Sequence, residues 1–136
     1  MRPPEEVKAE LVQQWLAKAE SDLGVADHLL SPGTPYVEAI GFHAQQASEK
    51  YLKAFLVEHQ IEFQKTHDLG QLLDLVSSVD PSLASTLSDV PFLTPYGVGF
   101  RYPGHLARMS ADDAGKAVAL ARSTRQAILK ALGKPA

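Results

Sequence analysis

His43, Gln46 and Lys50 are spaced so that one helix presents them together. Seven positions separate His43 from Lys50, about two helical turns, and Gln46 falls one turn from each. A second group, Arg101 and His105, stands in the run Phe100-Arg101-Tyr102-Pro103-Gly104-His105. An imidazole of near-neutral pKa can move the proton of a hydroxyl, and a guanidinium can hold a phosphate whose charge grows in a transition state. Together these residue types point to phosphate-containing ligands. Other chemistries are excluded. The chain has no Cys, which removes disulfides, thiolate metal sites and cysteine nucleophiles. It has no glycine-rich phosphate loop, no His-Glu-x-x-His zinc helix and no Glu-x-x-His pair of the di-iron kind. His28, His43, His59, His67 and His105 lie far apart along the chain without ligand spacing, so neither a metal nor another cofactor is expected.

The elements that must position these groups are helices. From about Glu5 to Leu30, Val12, Trp15, Leu16, Ala19, Leu23, Ala26 and Leu30 recur every three or four residues, the mark of one apolar stripe. Ser31-Pro32-Gly33 ends that helix, and Thr34-Pro35 reads as a cap followed by proline at the first position of a second one, running to about His59. Its inward stripe is Ile40, Ala44, Ala47, Tyr51, Ala54 and Phe55, with the His43, Gln46 and Lys50 strip beside it. Thr66 is placed to cap a third helix through Leu69, Leu72, Leu73 and Val76, with His67 next to Asp68 as a local capping contact. Asp80-Pro81 opens a fourth with Leu83, Leu87 and Val90 on its apolar face. From Phe92 to His105, two Pro and three Gly predict irregular backbone anchored by burial of Tyr96, Phe100 and Tyr102. Ser110 with Asp113 begins a last helix to about Leu132, stopped by Gly133 and carrying Ala117, Leu120, Ala121, Thr124, Ala127, Ile128 and Ala131 on one stripe.

No segment alternates like a strand. The expectation is an all-α, up-and-down bundle of four to five helices in one domain over residues 1–136, its core about 10–132. The chain has 136 residues and a net charge of −3, distributed as −8 over residues 1–100 and +5 over 101–136. A globally acidic chain is a poor candidate for an extended nucleic-acid tracking surface, although a small anionic-ligand site is compatible with it. The split also predicts acidic and basic helices that pair within the bundle or between subunits. Apolar and alanine-rich faces in excess of one short core predict a dimer. No apolar run approaches the length of a spanning helix, and the start lacks a signal-peptide pattern, so a cytoplasmic protein with no membrane association is expected.

Four stretches in order carry a further signal: Phe42-His43-Ala44-Gln45-Gln46-Ala47-Ser48-Glu49-Lys50-Tyr51-Leu52-Lys53-Ala54, then Thr66-His67-Asp68-Leu69, then Leu93-Thr94-Pro95-Tyr96, then Arg101-Tyr102-Pro103. With Trp15, Ala19, Asp22 and Leu23 in the first helix, this combination strongly resembles the HEPN domain family over about residues 10 to 130. The resemblance implies a mostly antiparallel helical bundle that forms a homodimer. It further implies a gene neighbour encoding a minimal nucleotidyltransferase, many such pairs acting as toxin and antitoxin, and nucleotide binding. A large subset of the family are metal-independent endoribonucleases that use an Arg and a His separated by four to six residues. Here three residues separate Arg101 from His105, and Ala107 stands where the toxin subset carries a modifiable tyrosine. The first reading is therefore a dimeric module that binds a nucleotide, RNA or a partner through His43, Gln46, Lys50, Tyr96, Arg101 and Tyr102. The alternative is a metal-independent endoribonuclease with Arg101 and His105 as catalytic residues.

Overall fold

The computed structural model describes residues 4–99 and 109–136. Its elements are α1 (Pro4–Leu29), α2 (Val37–Glu58), α3 (Leu69–Ser77), α4 (Pro81–Thr86), a 3-10 turn (Val90–Leu93), α5 (Tyr96–Gly99) and α6 (Ala111–Ala131). The described residues form an all-helical bundle with no strand.

Three long helices set the frame, and α2 is its centre, with 15 of 22 residues buried. The stripe Ile40, Ala44, Ala47, Tyr51, Ala54 and Phe55 is buried as its spacing predicts. It meets Val12, Leu16, Ala19, Leu23 and Ala26 of α1 and Ala114, Ala117, Val118, Ala121 and Ile128 of α6 in one core. Small residues at the contact let helix axes come close. Helices α1 and α2 are antiparallel: Lys8 pairs with Glu58 at one end (3.1 Å), and Asp22 meets His43 and Lys50 towards the other. Helix α6 is also antiparallel to α1, because Arg125 pairs with Glu20 and Arg122 with Asp27. It follows that α2 and α6 point the same way, and Met109, just before α6, lies against Gly41 near the start of α2. The short helices between them carry the chain back along the bundle.

Helix ends show where local signals hold and where they shift. Gly133 takes a left-handed angle (φ 71°) just past the Leu132 cap and closes α6 at the expected place, and Gly33 (φ 74°) takes one in the Ser31–Thr34 turn that follows α1. The Ser110–Asp113 capping box forms in both directions, at 3.1 and 3.2 Å. Thr34 does not cap α2; its Oγ1 accepts from the Tyr36 amide in a local turn, and the helix starts two residues later than the Pro35 signal predicts. Thr66 likewise accepts from the Asp68 amide, and Asp68 is the α3 cap, accepting from Gly70 and Gln71. Asp80 caps α4 as predicted, but that helix ends at Thr86. Val90 belongs instead to a 3-10 turn, because Pro91 lacks the amide that an α-helical continuation needs. The segment from Phe92, expected to be irregular, is ordered as that turn followed by α5 up to Gly99. On α6, Ala131 is exposed, and Val118 and Leu129 take inward places absent from the predicted stripe.

Candidate functional site

The antiparallel register of α1 and α2 brings Asp22 opposite the two residues that superimpose on the α2 surface. His43 Nδ1 lies 2.9 Å from Asp22 Oδ1, and Lys50 donates to Asp22 Oδ2 at 2.5 Å. The carboxylate is the more shielded partner, 14% exposed, while His43 and Lys50 keep 28% and 20% of their side-chain surface in solvent. One edge of the cluster is therefore open. Phe42, itself buried, sets its ring edge-on to the His43 ring with centroids 5.2 Å apart. Pairing to Asp22 offsets the Lys50 charge, so with a neutral imidazole the cluster is preorganised but carries little net charge. A phosphate bound here needs a further cation.

Gln46, the third member of the predicted strip, is buried, and its Nε2 donates to Gln45 Oε1 at 2.7 Å. It thereby joins a second polar group that runs along the inside of α2. Gln45 Nε2 donates to Glu49 Oε1 and to the His67 carbonyl, both at 3.1 Å. Glu49 also accepts from Lys53 at 3.0 Å and lies 2.8 Å from His67 Nδ1. Both Glu49 and Lys53 are buried, and the Lys53 ammonium sits over the rings of Trp15 and Phe63 at 5.4 and 5.5 Å. His67 thus reaches across to α2, whereas capping of α3 falls to Asp68 alone.

Tyr96 lies on another side of α2, near Gly41, with Phe92 beside it (centroids 5.8 Å) and Lys116 over the Phe92 ring at 4.2 Å. Burial, then the nearby Asp113 carboxylate, push the Tyr96 hydroxyl above the usual tyrosine range. Arg101, Tyr102 and His105 lie outside the described residues. The chain on either side of them is placed: Gly97 packs on Gln45 and Met109 on Gly41, one turn apart on α2. In the groove between α1 and α6, about 370 Å³, Arg122 and Arg125 are both ion-paired, to Asp27 and Glu20. Among the described residues no group of three or more His, Asp or Glu side chains is placed to hold a metal ion, and no helix is long and apolar enough to cross a membrane.

In the sequence, His43 and Lys50 stand out as site residues, and Asp22 only as part of the family resemblance, not as the residue that joins them. The signal available was the hairpin itself: residues about equally far from the turn near Gly33 face one another in antiparallel helices. Gln45, Glu49 and Lys53 were also missed, although polar residues four apart beside a core stripe mark a line of buried hydrogen bonds.

Residues 12–132 match the model of a protein family described as HEPN domain. No curated protein matches the chain. Among solved structures, the chain is similar to the crystal structure of TT1696 from Thermus thermophilus. The TM-score is 0.69 at 23% sequence identity, covering 88% of this chain and 96% of that one. At that identity the likeness speaks for the fold alone.

Proposed function

Because the chain belongs to the HEPN domain family, we propose that it acts as a dimeric module that binds a nucleotide, RNA or a partner surface within a toxin–antitoxin-like pair. A minimal nucleotidyltransferase is the protein partner this reading implies. The observation that supports it most is the half-open cluster of Asp22, His43 and Lys50, in which two polar side chains are fixed at the surface by a shielded carboxylate. A preorganised polar edge of this kind loses little side-chain entropy on binding. Arg101 and Tyr102 belong to the segment whose flanks rest on α2, and Arg101 supplies the cation that the paired Lys50 does not. Titration with short single-stranded RNA should show affinity that falls steeply with salt and drops further in Arg101→Ala, because phosphate contacts release counterions. Flat salt dependence rejects a phosphate-centred site. Sedimentation at micromolar concentration should give a dimer; a monomer alone defeats that part of the proposal.

A second reading, metal-independent RNA cleavage by Arg101 and His105 with His43 or Lys50 assisting, is favoured by the carboxylate behind the His43 imidazole. Such pairing orients a ring for proton transfer. Incubation with single-stranded RNA in excess chelator tests it. Cleavage abolished by Arg101→Ala or His105→Ala supports the nuclease; no cleavage, or cleavage indifferent to both changes, removes it.

A further inference from the structure

We propose that Asp22 is a positioning residue that fixes the tautomer of His43, leaving Nε2 as a hydrogen-bond acceptor that selects ribose over deoxyribose by receiving a proton from the 2′-hydroxyl. The ligand class rests on the RNA- or nucleotide-binding reading above; the tautomer does not.

An ionised carboxylate can only accept, so the 2.9 Å contact between His43 Nδ1 and Asp22 Oδ1 requires the proton to sit on Nδ1. Lys50 donates to the other carboxylate oxygen, which fixes the plane of the group. With Nδ1 bonded and Phe42 edge-on to the ring, the imidazole is restrained in orientation as well as in protonation. In the neutral ring the second nitrogen, Nε2, then bears a lone pair. No described group bonds it, and the side chain retains 28% of its surface in solvent.

A fixed lone pair is unsuited to a phosphate oxygen, which is itself an acceptor, and Lys50 is already neutralised by Asp22. What the open edge complements is a donor. In a nucleic-acid ligand the donors are base N–H groups and the ribose 2′-hydroxyl, and only the second distinguishes RNA from DNA. The hydroxyl proton stays on its oxygen in this contact, so no covalent step is involved.

The test has two arms. Nitrogen-15 NMR of the imidazoles in the full-length protein, at a pH where His43 is neutral, should show the Nδ1–H form in the unaltered chain; the Nε2–H form there overturns the proposal without recourse to any variant. In Asp22→Asn the preference for Nδ1–H should be lost, and Asp22→Glu should restore it. Retention of Nδ1–H in a folded Asp22→Asn protein overturns the role of Asp22. In the second arm, one short single-stranded sequence is titrated as RNA, as DNA and as the 2′-O-methyl form, which keeps the oxygen and loses the proton. RNA should bind about three- to tenfold more tightly than either other form, as one neutral hydrogen bond allows, and Asp22→Asn should abolish that margin. Equal binding of all three points to a base donor and overturns the ribose assignment. Absence of binding to all three, with Nδ1–H observed, overturns the ribose assignment and the RNA-binding part of the functional reading together and leaves the tautomer standing.

Discussion

Tyr51 shows how one side chain can tie three helices. It is fully buried on α2, its hydroxyl donates to Glu20 of α1 at 2.5 Å, and Glu20 accepts from Arg125 of α6 at 2.6 Å. Burial first, and the Glu20 carboxylate second, push its ionisation far above the ordinary value of 10.0. Tyr51→Phe keeps the ring and removes the hydrogen bond, and should cost about 1.5–3 kcal/mol in chemical denaturation, the range for bonds to charged groups. The same residue gives a pH dependence of known sign. Above pH 10 the unfolded chain releases the phenolic proton while the folded chain keeps it, so stability is present below that pH and falls as pH rises, by about 1.4 kcal/mol per unit from this group. The stability of Tyr51→Phe should therefore decline less steeply than that of the unaltered chain above pH 10; identical slopes contradict the assignment. At this scale the sequence exposed candidates but not partners. His43 and Lys50 share a face by helical periodicity, whereas Asp22 joins them through the packing of α1 on α2, a register to which distance from the turn near Gly33 is only a rough guide.

At the scale of elements, the placement of α5 depends on a glycine. A Cβ at Gly97 would lie 2.8 Å from the Gln45 amide carbon, and Gln45 cannot give way easily because it is fully buried and bonded to Gln46, Glu49 and His67. A Cβ at Gly41 would approach Met109 Cε at 2.6 Å, the end of a flexible thioether that can turn aside. Gly97→Ala should therefore destabilise by about 1–3 kcal/mol, and Gly41→Ala by clearly less. Gln45→Ala combined with Gly97→Ala should recover part of the loss, measured as a coupling energy in a double-mutant cycle. Equal effects of the two single substitutions would mean that the Gln45 network is not the rigid partner. The existence of α1 to α4 and α6 was legible from apolar periodicity and proline or glycine stops, whereas α5 lies where irregular backbone was expected. The caps themselves were less so, because Thr34 and Thr66 form the same short side-chain-to-backbone turns that compete with capping.

Over the whole molecule, ion pairs of two kinds occur, exposed ones between helices and a buried one within α2, and they differ in consequence. The opposite charges of the two ends of the chain do meet within one bundle: Arg122 and Arg125 of α6 pair with Asp27 and Glu20 of α1. Arg122 is 54% exposed, however, so solvent screens its pair, and Arg122→Ala should cost less than about 1 kcal/mol. Lys53 and Glu49 are 7% and 4% exposed, and removing one leaves the other charged in a low-dielectric interior. Lys53→Met should cost about 3–5 kcal/mol, tempered by whatever His67 restores from its half-exposed position beside Glu49. Comparable losses for the two variants would show that the Glu49 cluster is more hydrated than its burial implies.

The sequence by itself determined the all-helical class, the stripes that make the core, the glycine stops and the family, because each is written in local periodicity or in an ordered set of short motifs. The tertiary structure alone decided which polar residues act together. Asp22 with His43 and Lys50, and Gln45 with Glu49, Lys53 and His67, are brought together by the rotation and register of one helix against another. Those quantities are set by the packing of the apolar stripes over their whole length, and no single spacing along the chain contains them.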